Sequence, residues 1–237
     1  MYTGMTINKP LFELGVKAYL YGERAVALAR VMDRLGAQYG VTTVFTPQIV
    51  DIQRIAEATE HLLVFAPHLD PVGIGRGSGT VLAEAIKEAG AAGVLLNHAE
   101  RRVTMSHIAG AIRRADEVGL LSMVCADSPE EAAALAQLGP NMIMAEPPEL
   151  IGGSKSVAEV QREFILRTLE AVRRIDPEII IFNSAGIRTG EDAAAVIRFG
   201  ADGTGSTSGV LTAENPAGKL EEMIKAVSEA WGEMHPG

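Results

Sequence analysis

Lys17, His98 and Glu146 carry an ammonium, an imidazole and a carboxylate. Brought together, these groups would form a centre for moving a proton. A carboxylate can remove it, an imidazole can donate to an oxygen, and a fixed cation can stabilise the anion left behind. Glu100, two residues after His98, adds an acid within reach of the same place. His68 and Asp70 supply a second imidazole and carboxylate, so that His68, Asp70, His98 and Glu146 are also a set of ligands that a divalent ion accepts. Each of these residues has an ordinary alternative. A lysine at a strand end can be a solvated surface charge, His98 a hydrogen-bonded structural histidine, and Glu146 a cap on the segment that follows it. Cys125 stands between Val124 and Ala126, neither of which offers a base, and reads as a core side chain.

Residues so far apart in the chain meet only if the fold brings them to one end. Short apolar runs alternate with longer segments of helical spacing, the pattern of successive βα units and a parallel sheet. The strand candidates are Leu11 to Val16, Val41 to Thr46, Leu62 to Ala66, Gly93 to Leu96, Leu120 to Cys125, Met142 to Ala145, Ile179 to Phe182 and the weak Gly203 to Ser206. Helix candidates lie between them: Glu23 to Leu35, Thr80 to Ala89, Met105 to Val118, Pro129 to Leu138, Val157 to Ile175 and Glu191 to Phe199, with Leu220 to Trp231 closing the chain. Gly40, Gly90, Gly119, Gly139 and Gly200 fall where helices would stop. An α/β chain with eight such units, at 237 residues, predicts one (β/α)8 barrel over residues 1–237. The rival, an open doubly wound sheet, usually carries a Gly-rich phosphate turn after its first strand, and here that position reads Lys17-Ala18-Tyr19-Leu20.

In a barrel of this kind the residues just after each strand converge on one mouth. Lys17 follows the first strand, His68 and Asp70 the third, Asn97, His98 and Glu100 the fourth, and Glu146 the sixth. After the seventh and eighth strands come Ala185-Gly186-Ile187-Arg188 and Thr207-Ser208-Gly209-Val210. Small residues ahead of helices leave backbone N–H groups available to an anion, though they also serve as ordinary turns. A formal charge of -9 argues against nucleic acid as a partner, since phosphate backbones are bound through basic patches that this chain lacks. No apolar run approaches the roughly 18 residues of a membrane span. The first residues lack the basic-then-apolar order of an export signal, and one cysteine cannot form an internal disulfide. A cytoplasmic location, away from membranes, is expected.

The segments LLNHAERR and AEPPELIG resemble active-site stretches of triosephosphate isomerases, in particular the shorter archaeal form. The resemblance extends through FTPQIVDIQRIAE, HLDP, EAIKEAGAAGVLLNHAERR, AIRRADEVGLLSMVC, AEPPELIG, AGIRTGED and SGV in the same order, and so covers most of the chain. It implies an aldose–ketose isomerase of triose phosphates that uses neither metal nor organic cofactor. By position it implies Glu146 as the proton-abstracting carboxylate, His98 as the electrophile, Lys17 as the cation beside the substrate and Glu100 as a supporting acid. Ile151, Gly186, Thr207, Ser208 and Gly209 would be the phosphate-side contacts. The reaction removes a proton next to a carbonyl, so it needs a base, a donor to the carbonyl and a charge to stabilise the enediolate. A neutral histidine beside a glutamate base under a closing loop is the family's own known arrangement, and it enters here only through the resemblance. The loop from Pro71 to Gly79, which holds Ser78, resembles the shortened family loop that reaches into a neighbouring subunit, which implies a homo-oligomer, either dimer or tetramer.

Four departures from the family pattern touch the mouth. Gly15 stands where the family has an amide two residues before the lysine. The segment after AEPPELIG reads Gly152-Gly153-Ser154-Lys155 and is shortened. Arg188 replaces a small hydroxyl residue near the phosphate, and Ala99 replaces the serine that usually follows the histidine. A cation at Arg188 suits a carboxylate or a differently placed phosphate, and the loss of the amide at Gly15 alters what the substrate meets. These departures leave two alternatives to triose phosphate isomerisation, an isomerase of another small sugar phosphate or a non-catalytic homologue, and the ligand set of His68, Asp70, His98 and Glu146 leaves a third, a metal-dependent sugar isomerase or epimerase.

Overall fold

A computed structural model describes residues 1–147 and 158–236. Eight parallel strands pair in sequence order, and the last closes on the first: β1 (Leu11–Gly15), β2 (Thr42–Thr46), β3 (Leu63–Ala66), β4 (Gly93–Leu96), β5 (Leu121–Ala126), β6 (Met142–Ala145), β7 (Ile180–Asn183) and β8 (Gly203–Gly205). The closing register sets Leu11 against Gly203 and Glu13 against Gly205. The protein is therefore a (β/α)8 barrel, as the alternation of runs predicts. Even the weak eighth strand takes its place, because β7 and β1 supply partners on both sides.

Strand side chains alternate between two apolar layers. Leu11, Val44, Phe65, Leu95, Leu121, Met123, Cys125, Met142, Met144, Ile180 and Phe182 fill the barrel interior. Phe12, Leu14, Val16, Phe45, Val94, Leu96, Val124 and Ile181 face outward and pack with buried helix residues such as Ala29, Met32, Ile112, Leu220 and Ile224. Each fully buried leucine or phenylalanine contributes roughly 2 kcal/mol through removal of apolar surface from water. Cys125 belongs to the inner layer, and burial pushes its thiol well up from the ordinary value. It is a core side chain, as expected. At the amino-terminal end of the strands, Tyr2, Met5 and Ile7 pack against the inner layer, and the Asn141 amide donates to the Tyr2 carbonyl at 2.7 Å.

The helices are α1 (Glu23–Tyr39), α2 (Ile52–Ala56), α3 (Ala83–Glu88), α4 (Met105–Val118), α5 (Pro129–Ala136), α6 (Ala158–Arg173), α7 (Gly190–Arg198), α8 (Ser208–Leu211) and α9 (Pro216–Met234). Their starts follow from side-chain caps. Thr104, Ser128, Thr189 and Asn215 each accept a bond from a backbone N–H in the first turn of α4, α5, α7 and α9. Gly40 and Gly119 end α1 and α4 in the left-handed conformation, with φ of 66° and 73°. The sequence pattern misses α2 and α8, which are too short to display a 3.6-residue period. It also starts the third helix too early. The Thr80 hydroxyl donates to the Gly77 carbonyl at 2.6 Å, which holds that residue in a turn ahead of α3.

Candidate active site

The carboxyl end of the barrel opens into a cavity of about 570 Å³, whose walls include Lys17, His98, Glu100, Glu146, Gly186, Arg188, Thr207 and Ser208. The four residues expected to do chemistry therefore face one space, although they leave three different strands.

Lys17 follows β1 with φ of 47°, an uncommon conformation for a residue with a side chain. It is held there from both sides: the Val16 N–H donates to the Thr46 carbonyl at 3.0 Å, and the Gln48 amide donates to the Lys17 carbonyl. The Lys17 ammonium meets a Glu100 carboxylate oxygen at 3.1 Å. Glu100 is 60% exposed, so this pair adds little stability and acts mainly to orient the ammonium.

His98 is delivered by a second left-handed residue, Asn97, with φ of 59°. The Asn97 side chain donates to the Cys125 carbonyl at 3.0 Å, and its oxygen accepts from the Val103 N–H at 3.3 Å. Arg102 donates to the Asn97 carbonyl at 3.1 Å and is anchored in turn by Asp127 and by Glu131. The turn that carries the imidazole is thus tied to β5 and α5. The Glu100 N–H donates to His98 Nδ1 at 3.1 Å. An Nδ1 that accepts places the proton of the neutral ring on Nε2. Burial, with Lys17 nearby, lowers the His98 pKa to about 4, so the ring is neutral across the physiological range.

Glu146 follows β6, and its N–H donates to the Ala126 carbonyl at 2.8 Å. Its side chain is buried, and desolvation raises its pKa to about 7 despite the opposing charges of Lys17 and Arg102. A carboxyl with that affinity for protons is suited to accept one and give it back near neutrality.

On the opposite side, Gly186 has φ of 74°. The Thr207 hydroxyl donates to the Gly15 carbonyl at 2.9 Å, and the Ser206 hydroxyl donates to the Ile187 carbonyl at 2.8 Å, so the loops after β7, β8 and β1 are tied together. The backbone N–H groups of Arg188 and Thr189 do not await an anion, because both donate to the Asp192 carboxylate, at 3.0 and 2.9 Å. They cap α7 instead. Gly209 is not in the cavity wall. A Cβ there would lie 2.6 Å from the Ile187 carbonyl oxygen, so glycine allows that close packing beneath Ser208. The first turn of α8 leaves its leading N–H groups outside the helix ladder. Ile151 lies outside the described residues.

His68 and Asp70 do not join this wall. They stand with His107, and the nearest ligand atoms of the three lie within 4.8 Å of one another. His68 Nε2 contacts Asp70 at 3.1 Å, Asp70 accepts from the Val81 N–H at 2.7 Å, and His107 Nε2 meets the Leu69 carbonyl at 2.9 Å. These contacts brace the base of the loop from Pro71 to Gly79. The four-ligand set read from the sequence, which joins His68 and Asp70 to His98 and Glu146, is therefore divided between two places.

Glu13, Thr46 and Ser184 also line the cavity and were missed by sequence reasoning. Glu13 had a signal: an acid inside the otherwise apolar LFELG strand, at an inward position between Leu11 and Gly15. Its carboxylate is 5% exposed and accepts from the Thr46 hydroxyl at 2.8 Å. Desolvation raises its pKa to about 7.

Residues 14–227 match the family model for triosephosphate isomerase. Proteins named triosephosphate isomerase from Methanobacterium bryantii, Methanothermobacter thermautotrophicus and Sulfurisphaera tokodaii are similar to the chain, at 38%, 37% and 37% identity. The matches cover 92%, 93% and 92% of this chain and 97%, 96% and 95% of those proteins. With the family model spanning most of the barrel and the relatives matched nearly end to end, the chain belongs to the triosephosphate isomerase family.

Proposed function

We infer that the protein is an isomerase that interconverts glyceraldehyde 3-phosphate and dihydroxyacetone phosphate through an enediolate. The observation that carries this reading is the convergence of a proton-accepting Glu146, a neutral His98 and the Lys17 ammonium on one cavity. Glu146 takes the proton from the carbon beside the carbonyl and returns it to the neighbouring carbon. His98 Nε2–H donates to the carbonyl oxygen, and Lys17 stabilises the negative charge that develops there. Glu100 steadies Lys17 by its ion pair and His98 by its backbone N–H.

The phosphate lies across Gly186, Thr207 and Ser208, with the Arg188 side chain at the rim, Gly209 allowing the close packing that supports Ser208, and Gly15 in the wall of the same cavity. Ile151 completes the contact set implied by position. No metal or organic cofactor is required by these roles. The protein works in the cytoplasm as a homo-oligomer, and the strongly exposed Tyr21, Val50 and Ile74 support the assembly. Among the described residues no helix is long and apolar enough to cross a membrane.

A coupled assay with each triose phosphate tests the activity. Turnover after exhaustive dialysis against chelator, lost in Glu146→Gln, is expected. Rates left unchanged by that substitution would remove the assignment. Arg188 at the rim favours a second reading, an isomerase of another small sugar phosphate. Inert triose phosphates together with turnover of a four-carbon sugar phosphate would select it.

A further inference from the structure

The Glu13 carboxyl lies deeper in the barrel than Lys17, on the inward face of β1, and lines the same cavity as Glu146. A Cβ built at Gly15 would stand 3.1 Å from Glu13 Oε1, 3.8 Å from Oε2 and 3.8 Å from the Thr207 hydroxyl. The carboxyl thus occupies the space that a side chain at position 15 would use, and residues two apart on one strand share a face. Thr46 fixes one oxygen from β2, while on the β8 side Gly205 leaves no side chain in the way. Burial raises Glu13 and so does the charge of Glu146, whereas the Thr46 hydroxyl, the Lys17 ammonium and the Gly15 N–H pull the other way. Cys125 on β5 also feels its charge, but that buried thiol stays protonated, and the neutral His98 adds no charge on the β4 side. A protonated carboxyl held by Thr46 has one O–H left to give.

We propose that Glu13 is a substrate-contacting residue: its carboxyl, in the neutral form and in the space left open by Gly15, donates a hydrogen bond to the oxygen at the unphosphorylated end of the triose phosphate. The proposal rests on the isomerase reading, since it is the reacting end that approaches Glu146. The working enzyme then holds one proton on the pair, on Glu13 and not on Glu146, and the pair titrates as a unit. Above neutrality the second carboxyl ionises, the donor is lost, and a negative charge faces the enediolate.

The test is the pH dependence of kcat/KM in the intact protein with glyceraldehyde 3-phosphate. Wild type should give a bell, rising as Glu146 ionises and falling about tenfold per pH unit above the Glu13 transition. Glu13→Gln keeps a neutral donor that cannot ionise. Its profile should retain the acid limb, lose the alkaline limb, and lie within about threefold of wild type at pH 6. Glu13→Val should lower kcat/KM about tenfold or more at pH 6, as expected for loss of a hydrogen bond to a charge-bearing oxygen.

Gly15→Ala tests the same carboxyl without deleting it. It should lower kcat/KM in the native background and cost nothing further in Glu13→Val, since both changes act on one contact. A wild-type profile with no alkaline limb, a limb that Glu13→Gln retains, or additive losses for Gly15→Ala and Glu13→Val would overturn the role of Glu13 while leaving the isomerase reading intact. A wild type that turns over neither triose phosphate overturns the isomerase reading, and this inference with it.

Discussion

Glu146 and His98 differ in the direction that burial moves them, and this separates their roles. Loss of water favours the neutral form of each, so the carboxyl binds its proton more tightly and the imidazole more weakly. On the proposed roles, kcat/KM should rise with pH as Glu146 ionises near 7, while titration of His98 near 4 leaves no inflection between pH 5 and 9. Glu146→Gln should lower kcat by about 10³-fold with a smaller change in KM, the scale of a lost general base.

Glu13 also carries a stability signature. Its folded value of about 7 exceeds the ordinary 4.5, so between those values the folded protein holds a proton that the unfolded chain releases. Stability from this group is complete below 4.5 and declines as pH rises to about 7. Glu13→Gln removes the decline. Thermal melts should therefore show a larger gain over wild type at pH 8 than at pH 5, by a few kcal/mol in order of magnitude. An equal gain at both values would mean that the carboxyl is ionised in the folded protein.

At the scale of elements, the turn after β4 and the start of α7 each position part of the wall. Asn97 combines a left-handed backbone with bonds to β5 and to the Val103 N–H, so one side chain sets the angle at which His98 enters the cavity. Asn97→Ala should destabilise the protein by about 2–3 kcal/mol, from a strained φ and a lost buried bond. It should lower kcat more than it raises KM, because the imidazole shifts while the phosphate side is untouched. Steady-state kinetics beside a denaturant titration separates the two effects. Thr189→Ala removes half of a capping box and should cost about 1 kcal/mol. Its kinetic effect should fall on KM, since α7 follows Arg188 and its cap holds that residue's N–H.

For the whole molecule, the formal charge of -9 opposes an anionic substrate, so attraction must come from the local set of Lys17, Arg101 and Arg188 in the cavity wall. The exterior has a second feature: Ile74 at the tip of the loop from Pro71 to Gly79 and Val50 just before α2 are each 81% exposed. Burial of such side chains is the usual outcome in an assembly. Sedimentation at micromolar concentration should show a dimer or larger, and Ile74→Lys should shift the distribution toward monomer. Monomer alone in the native protein would contradict the proposed homo-oligomer.

Local pattern fixed a parallel α/β fold, and eight units without a Gly-rich turn after the first strand favoured its closure into a barrel. Apolar runs of strand length, separated by segments of helical spacing, can bury their surface only by pairing in parallel under a layer of helices, and even Gly203–Gly205 could be placed by that rhythm. The rule that strand ends converge made Lys17, His98 and Glu146 legible as neighbours before any coordinate. Three matters were decided by tertiary structure alone. Whether a turn's N–H points at a ligand depends on competing acceptors, and Asp192 takes those of Arg188 and Thr189. Whether His68 and Asp70 join the mouth depends on where their side chains turn, and they turn to His107. Whether Gly15 marks a lost group or a vacated space depends on its neighbour in the barrel: the Glu13 carboxyl fills the gap, a relation that appears only when inward side chains of three adjacent strands share one interior.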